Sequence, residues 1–145
     1  MKAYSFLDTS ASIVGPGGVV NIGAGAANAE EGITIENVED KNVMTIGADG
    51  QGQHSLVASD ACTVTLRLLK TSPVNQQLMI MYDLQSASSA LWGQNVIKCD
   101  NTALGDVNVI QACAFKKAPA LNYAKEGGMI EWVFDGISRA SILGG

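Results

Sequence analysis

Charge is scarce in this chain. Only 16% of its 145 residues are Asp, Glu, Lys or Arg, against a usual ~25%. Less surface is therefore committed to water than a free monomer normally shows, and burial against copies of itself accounts for the shortage. A monomer coated in Ser, Thr, Asn and Gln is the alternative. Histidine is nearly missing, with His54 standing alone. A serine triad needs a histidine held by an acid and aimed at a nucleophile. Asp49, His54 and Ser55 lie in the glycine-rich GADGQGQHSL with no scaffold cue, so no triad is predicted. Three cysteines, Cys62, Cys99 and Cys113, form no C-x-x-C pair, which argues against a zinc site. They read as reduced thiols packed in strands; a bond between subunits in an oxidising medium is the alternative. No apolar run approaches ~18 residues and no basic-then-apolar leader is present, so the sequence predicts neither a membrane span nor a standard secretion signal.

What the chain does have is glycine, 16 residues of it, and apolar character, 47%. A single domain over residues 1–145 suits this length. Most segments carry the period-2 pattern of half-buried strands. In Cys62–Leu68 the residues Cys62, Val64, Leu66 and Leu68 face one way, and Thr63, Thr65 and Arg67 the other. Near the C-terminus Ile130, Trp132 and Phe134 share a face, opposite Glu131, Val133 and Asp135. Further strands are predicted at about 4–13, 19–22, 33–38, 43–47, 94–99 and 107–117, separated by the glycine clusters GPGG, GADGQG and KEGG. One segment departs from the pattern. Over 72–85 Ser72 is an N-cap candidate, Pro73 fits the first helical position, and Val74, Leu78, Met81 and Tyr82 form a stripe widened by Met79, Ile80 and Leu84. The fold class that follows is mostly β: two packed antiparallel sheets, sandwich or barrel, with one flanking α-helix.

The stretch VNIGAGAANAEEG resembles the G-x-G-x-x-G of a dinucleotide loop. Such a loop needs a helix directly behind it to receive the pyrophosphate. Here Asn28 takes the third glycine position, Glu30 and Glu31 put negative charge beside the would-be phosphate, and GITIENVED reads as strand. No nucleotide cradle is predicted; the glycines mark a loop between two strands. The pairs Glu30-Glu31 and Glu39-Asp40 point to opposite faces if they lie in strands, so they do not converge on one substrate. The sequence thus predicts no enzyme, no metal and no cofactor.

The net charge of −5 is unevenly spread. Residues 1–66 hold eight acids against two bases, whereas residues 67–145 hold six acids and seven bases. No basic stripe with interleaved aromatics is present to bind nucleic acid. In 33–40, Thr34, Glu36 and Asp40 share one strand face, with Ile33, Ile35 and Asn37 on the other. Such a strand is either the solvated edge of a monomer or the lining of a bore in a closed ring.

The runs YSFLDTSASIVGPGG, AEEGITIENVEDKNVMTIGADGQGQHSL, RLLKTSPVNQQL and GGMIEWVFDGI resemble the tail-tube proteins of contractile-tailed bacteriophages, over roughly residues 4–140. Type VI secretion inner tubes are related to that family. The resemblance implies two packed sheets with a helix, and a hexameric ring stacked into a tube inside a sheath. It implies partners as well: itself, the sheath, baseplate and tail-terminator proteins, and double-stranded DNA that passes through without specific binding, with no membrane insertion. The implied location is the virion tail, with synthesis and assembly in the host cytoplasm. At ~4.8 Å between strands and ~40° tilt, about 24 strands give a backbone diameter near ~48 Å, wide enough for a duplex. Lumen candidates are Glu30, Glu31, Glu36, Glu39 and Asp40. Glu39 and Asp40 share a face only if a turn or bulge intervenes. The resemblance makes the 47–61 loop, with Gly47, Asp49, Gly50, Gln51, Gly52, Gln53 and His54, a contact to the next ring. A free surface loop is the alternative there. Competing functions are an effector-delivering secretion tube and, in another class, a monomeric ligand-binding β-sandwich.

Overall fold

The computed structural model describes residues 3–144; the side chains of Glu30 and Glu31 lie outside that description. Among the described residues ten strands and one helix follow a short 3₁₀ turn at Phe6–Asp8, where Ser5 Oγ accepts from Leu7 N at 3.2 Å. The strands are β1 (Thr9–Gly15), β2 (Gly18–Asn21), β3 (Asn28–Asn37), β4 (Asn42–Ile46), β5 (Gly52–Leu56), β6 (Cys62–Leu69), β7 (Asn95–Asn101), β8 (Asp106–Phe115), β9 (Met129–Gly136) and β10 (Ser138–Ile142), with α1 at Val74–Ser86. All ladders between these strands are antiparallel.

One sheet runs β2-β1-β7-β8-β9-β6-β3, with β10 on β8, and β4-β5 pair separately. It curls because two neighbouring strands turn corners together. β8 bends at Ala112, whose φ is 54°; before the bend it pairs with β10, and beyond it with β9. The chain of β9 passes into β10 through Gly136 and Ile137, and Ile137 N donates to Gln111 O at 3.2 Å. A Cβ at Gly136 would collide with the Ile110 side chain, so the corner admits only glycine. The result is two packed faces, as the sequence predicts. Ala11, Ile13, Ile97, Ile110 and Cys113 come from one, and Val64, Leu66, Leu68, Ile130, Trp132 and Phe134 from the other.

The helix closes the open side of this core with Val74, Leu78 and Met81. Trp132 Nε1 donates to Asn75 Oδ1 at 3.0 Å, while the Tyr82 ring meets Phe115 edge-on at 5.5 Å. Helix bounds shift slightly from 72–85. Pro73 rather than Ser72 takes the N-cap position; Ser72 Oγ accepts from Val74 N at 3.3 Å and donates to Ala26 O, so it ties the helix start to the β2–β3 loop. Ile80 and Leu84 remain exposed.

The strand predicted over 4–13 divides into the 3₁₀ turn and β1, and β3 starts at Asn28 rather than 33. Two strands carry no clear period-2 signal and were not predicted: β5, within the supposed 47–61 loop, and β10.

Candidate functional site

The surfaces available for function are a sheet face, a projecting arm and open strand edges. The sheet face comes first. β6 pairs β3 on one side and β9 on the other, with Glu36 opposite Thr63 and Thr63 opposite Asp135. Because Ile33, Ile35, Val64, Leu66, Trp132 and Phe134 turn inward, strand alternation turns Thr34, Glu36, Thr63, Thr65, Arg67, Glu131, Val133 and Asp135 outward. Arg67 is occupied on that face, with Nε 3.3 Å from Glu131 and Nη1 donating to Thr34 Oγ1 at 3.2 Å. Glu36 and Asp135 are exposed without an ion-pair partner among the described residues, so the free charge of the face is negative.

Of the acids picked from sequence, Glu36 lies on this face. Glu39 and Asp40 lie in the bend between β3 and β4, exposed, where strand alternation no longer binds them to opposite sides. The backbone of Glu30 and Glu31 belongs to β3; their side chains lie outside the described residues. Glu131 and Asp135 were missed. Their alternation with Trp132 and Phe134 is plain in the sequence, but only the β3-β6-β9 pairing sets them beside Glu36.

The arm is the β4–β5 hairpin. Its two strands pair only with each other, and Val43, Met44, Ile46 and Leu56 are exposed, Leu56 at 83%. Its base is held by Lys41 Nζ on Asp60 at 2.9 Å, Val57 N on Lys41 O at 2.9 Å and Val38 N on Ala61 O at 3.1 Å. Gly47, Asp49, Gly50 and Gln51 form the tip: Gly47 N donates to Gln51 O at 2.7 Å, Asp49 Oδ1 accepts from Gln51 N at 3.1 Å, and Gly50 takes φ 88°. Gly52, Gln53 and His54 lie in β5. Within the 47–61 stretch, therefore, Gly52–Leu56 is strand, and the residues on either side of it are tip and connecting loop. Asn42 Nδ2 lies 3.1 Å from His54 Nδ1, and Asp49 is engaged with its own tip.

The glycine stretch that resembles a phosphate loop joins β2 to β3, with no helix behind it. Gly23 N and Ile22 N both donate to Ala11 O, and a Cβ at Gly23 would come within 2.5 Å of Ala11 N. Glycine is there for close packing on β1. Cys62 and Cys113 are buried, Cys99 is half-buried, and all three are free thiols. Burial pushes the Cys113 thiol up to about 12 and raises Cys62 and Cys99 as well. None is a poised nucleophile. Among the described residues no group of three or more His, Cys, Asp or Glu is placed to hold a metal ion.

The model of the family described as "Bacteriophage PhiTE tail tube protein" matches residues 1–144. The chain belongs to this tail tube family. The tail tube fold is shared with two solved structures at very low identity. One is the cap that terminates the anti-feeding prophage tube, with TM-score 0.57 and 10% identity, covering 99% of this chain and 93% of that one. The other is an extracellular contractile injection system, a PVC sheath–tube complex in the extended state, with TM-score 0.61 and 8% identity, covering 97% and 92%. No curated protein sequence matches the chain. As a tail tube protein it has a structural role, one of building a tube.

Proposed function

We propose that this chain is the repeating subunit of a phage tail tube, forming hexameric rings that stack into a conduit for genome ejection. The observation that carries the proposal is the match of the tail tube family across residues 1–144, in a fold whose sheet ends in open edges. An edge strand offers a row of unpaired N–H and C=O groups, and siblings satisfy them. The outward face of β3-β6-β9 lines the bore, with Glu36 and Asp135 on the wall, Glu30 and Glu31 on the same strand as Glu36, and Glu39 and Asp40 at the adjoining bend. DNA carries one negative charge per ~1.7 Å of axis. A basic wall would capture phosphates by counterion release; an acidic wall repels them from all sides and lets the duplex slide. The β4–β5 arm reaches the next ring through the tip residues Gly47 to Gln51 and the apolar Met44, Ile46 and Leu56. The partners are further copies, a sheath, a baseplate and a terminator, in a virion tail assembled in the host cytoplasm.

Negative-stain microscopy of the purified protein at high concentration tests this. Rings with six-fold symmetry and stacked tubes are expected; a monomeric mass at every concentration would sink it. The two injection-system structures favour a second reading, a tube that delivers protein cargo. Recovery of the chain from purified DNA-filled virions decides for the phage tail, and its absence from them for the injection machine.

A further inference from the structure

The β4–β5 arm has two unlike sides. Its ladder pairs Asn42 with Leu56, Met44 with His54 and Ile46 with Gly52, and directly opposed residues of an antiparallel pair share a face. Met44, Ile46 and Leu56 therefore lie on one side of the ribbon, and Val43, Thr45, Gln53 and Ser55 on the other. A Cβ at Gly52 would come within 3.2 Å of Ile46 Cδ1, so Ile46 lies across the glycine on that first side. All three apolar residues are more than half exposed. The body carries an apolar recess. Beyond Lys116, whose N donates to Val133 O at 2.9 Å, the chain leaves β9. A cleft of about 310 Å³ opens there against the outward side of β9, lined by Ala118, Pro119, Ala120, Met129, Glu131 and Val133. Its walls are held. Lys70 Nζ donates to Asn122 O and lies 4.0 Å from the centre of the Tyr123 ring, Lys70 N donates to Gly128 O at 3.1 Å, and Arg67 holds Glu131. An apolar cavity of ~150 Å³ accepts benzene, so this cleft has room for roughly two side chains the size of Met44 and Ile46.

Resting on the stacked-ring reading, we infer that this cleft is the seat for the arm of a copy in the adjoining ring, with Met44 and Ile46 entering between residues 118–120 and β9. Arm and cleft occupy opposite ends of β6. The arm begins where Val38 N donates to Ala61 O, whereas the cleft centres on Glu131, which stands opposite Arg67, roughly 20 Å further along the strand. A projection at one end that fits a recess at the other makes a heterologous contact, and such a contact repeats from copy to copy without closing. Stacking requires that property. Two arms packed against each other would instead close on themselves and stop growth at a pair of rings. Charge is complementary as well: residues 42–56 hold Asp49 and no Lys or Arg, while residues 116–125 hold three lysines and no acid.

Methionine oxidation of the wild-type protein tests the inference. Met44 and Met129 are both exposed in the subunit, whereas Met81 is buried. Dilute hydrogen peroxide should convert Met44 and Met129 to the sulfoxide in dissociated protein and spare both in assembled tubes, with Met81 protected throughout, as read by peptide mass spectrometry. Cysteine coupling then identifies the neighbours. Met44→Cys or Ile46→Cys, combined with Ala118→Cys or Ala120→Cys, should in at least one combination give a ladder of disulfide-linked multimers on a non-reducing gel. Wild type and each single variant should stay monomeric under the same oxidation. Tubes in which Met129 remains as reactive as in dissociated protein, or in which no cysteine pair couples, overturn this seat and leave the tube standing. A link confined to one chain, or a dimer of Met44→Cys alone, overturns it too, by placing the arm on its own body or on another arm. Failure of the wild-type protein to form any tube overturns the stacked-ring reading itself.

Discussion

Gln85 of α1 and Asn95 of β7 exchange amide hydrogen bonds of 2.7 and 2.8 Å in the fully buried interior, and Gln85 Nε2 donates also to Pro16 O at 2.8 Å. The pair fastens the end of the helix to the β1–β2 turn. Asn95→Ala strips Gln85 Oε1 of its donor without exposing it to water. The expected loss is ~1–3 kcal/mol, the cost of a stranded buried polar group. Urea unfolding of the dissociated protein checks this; an unmoved midpoint would contradict it.

Alkali should weaken the fold through Cys113. Its thiol is pushed from an ordinary 9.0 up to about 12 by burial. The folded state therefore holds the proton more tightly than the unfolded state does, and this contribution is complete below pH 9 and lost as pH climbs through about 12. The melting temperature of Cys113→Ala, lower at neutral pH for want of the packed sulfur, should fall less steeply than that of wild type between pH 9 and 12. Parallel curves would rule the thiol out as the cause.

Deleting residues 48–53 removes the tip and part of β5 from a hairpin whose strands pair only with each other. The body should keep its melting temperature within a few degrees, since a change of ~1 kcal/mol moves a domain of this size by only ~2–8 °C. Tubes should shorten or vanish. Long tubes of the deleted protein under the microscope would show that the arm does not hold rings together.

Glu36→Lys combined with Asp40→Lys should permit tube assembly and slow DNA ejection. Glu36 has no ion-pair partner among the described residues, and Asp40 is exposed in the bend beyond β3, so neither change strands a buried group. Ejection followed by dye uptake from virions carrying both lysines measures the effect; wild-type kinetics would argue against an anionic bore.

Much of the fold was legible because burial imposes a rhythm on sequence. Strands packed on one face, such as β6 and β9, declare themselves by alternation, and α1 by its stripe. β5 was invisible for the opposite reason: in Gly52–Leu56 only Ser55 is even half-buried, so no core selected an alternating pattern, and the neighbouring glycines read as loop. β10 is short and mostly exposed as well. The site was legible only in part. Glu36 could be placed on a face by counting residues from Ile35. That Asp135 lies two strands away on that face depends on which strands pair, and nothing local in either segment records it.

The isolation of the arm has a kinetic consequence. A two-stranded ribbon is marginal in water by itself, and much of its apolar side, Met44, Ile46 and Leu56, has no cover from its own body. In the proposed stack each arm surrenders freedom when it docks, so the first rings to meet should gain little and separate often, whereas growth onto an existing stack engages a full circle of arms together. Polymerisation should accordingly show a lag that short preformed seeds abolish, and length would then be set by where elongation is started and stopped rather than by subunit concentration alone.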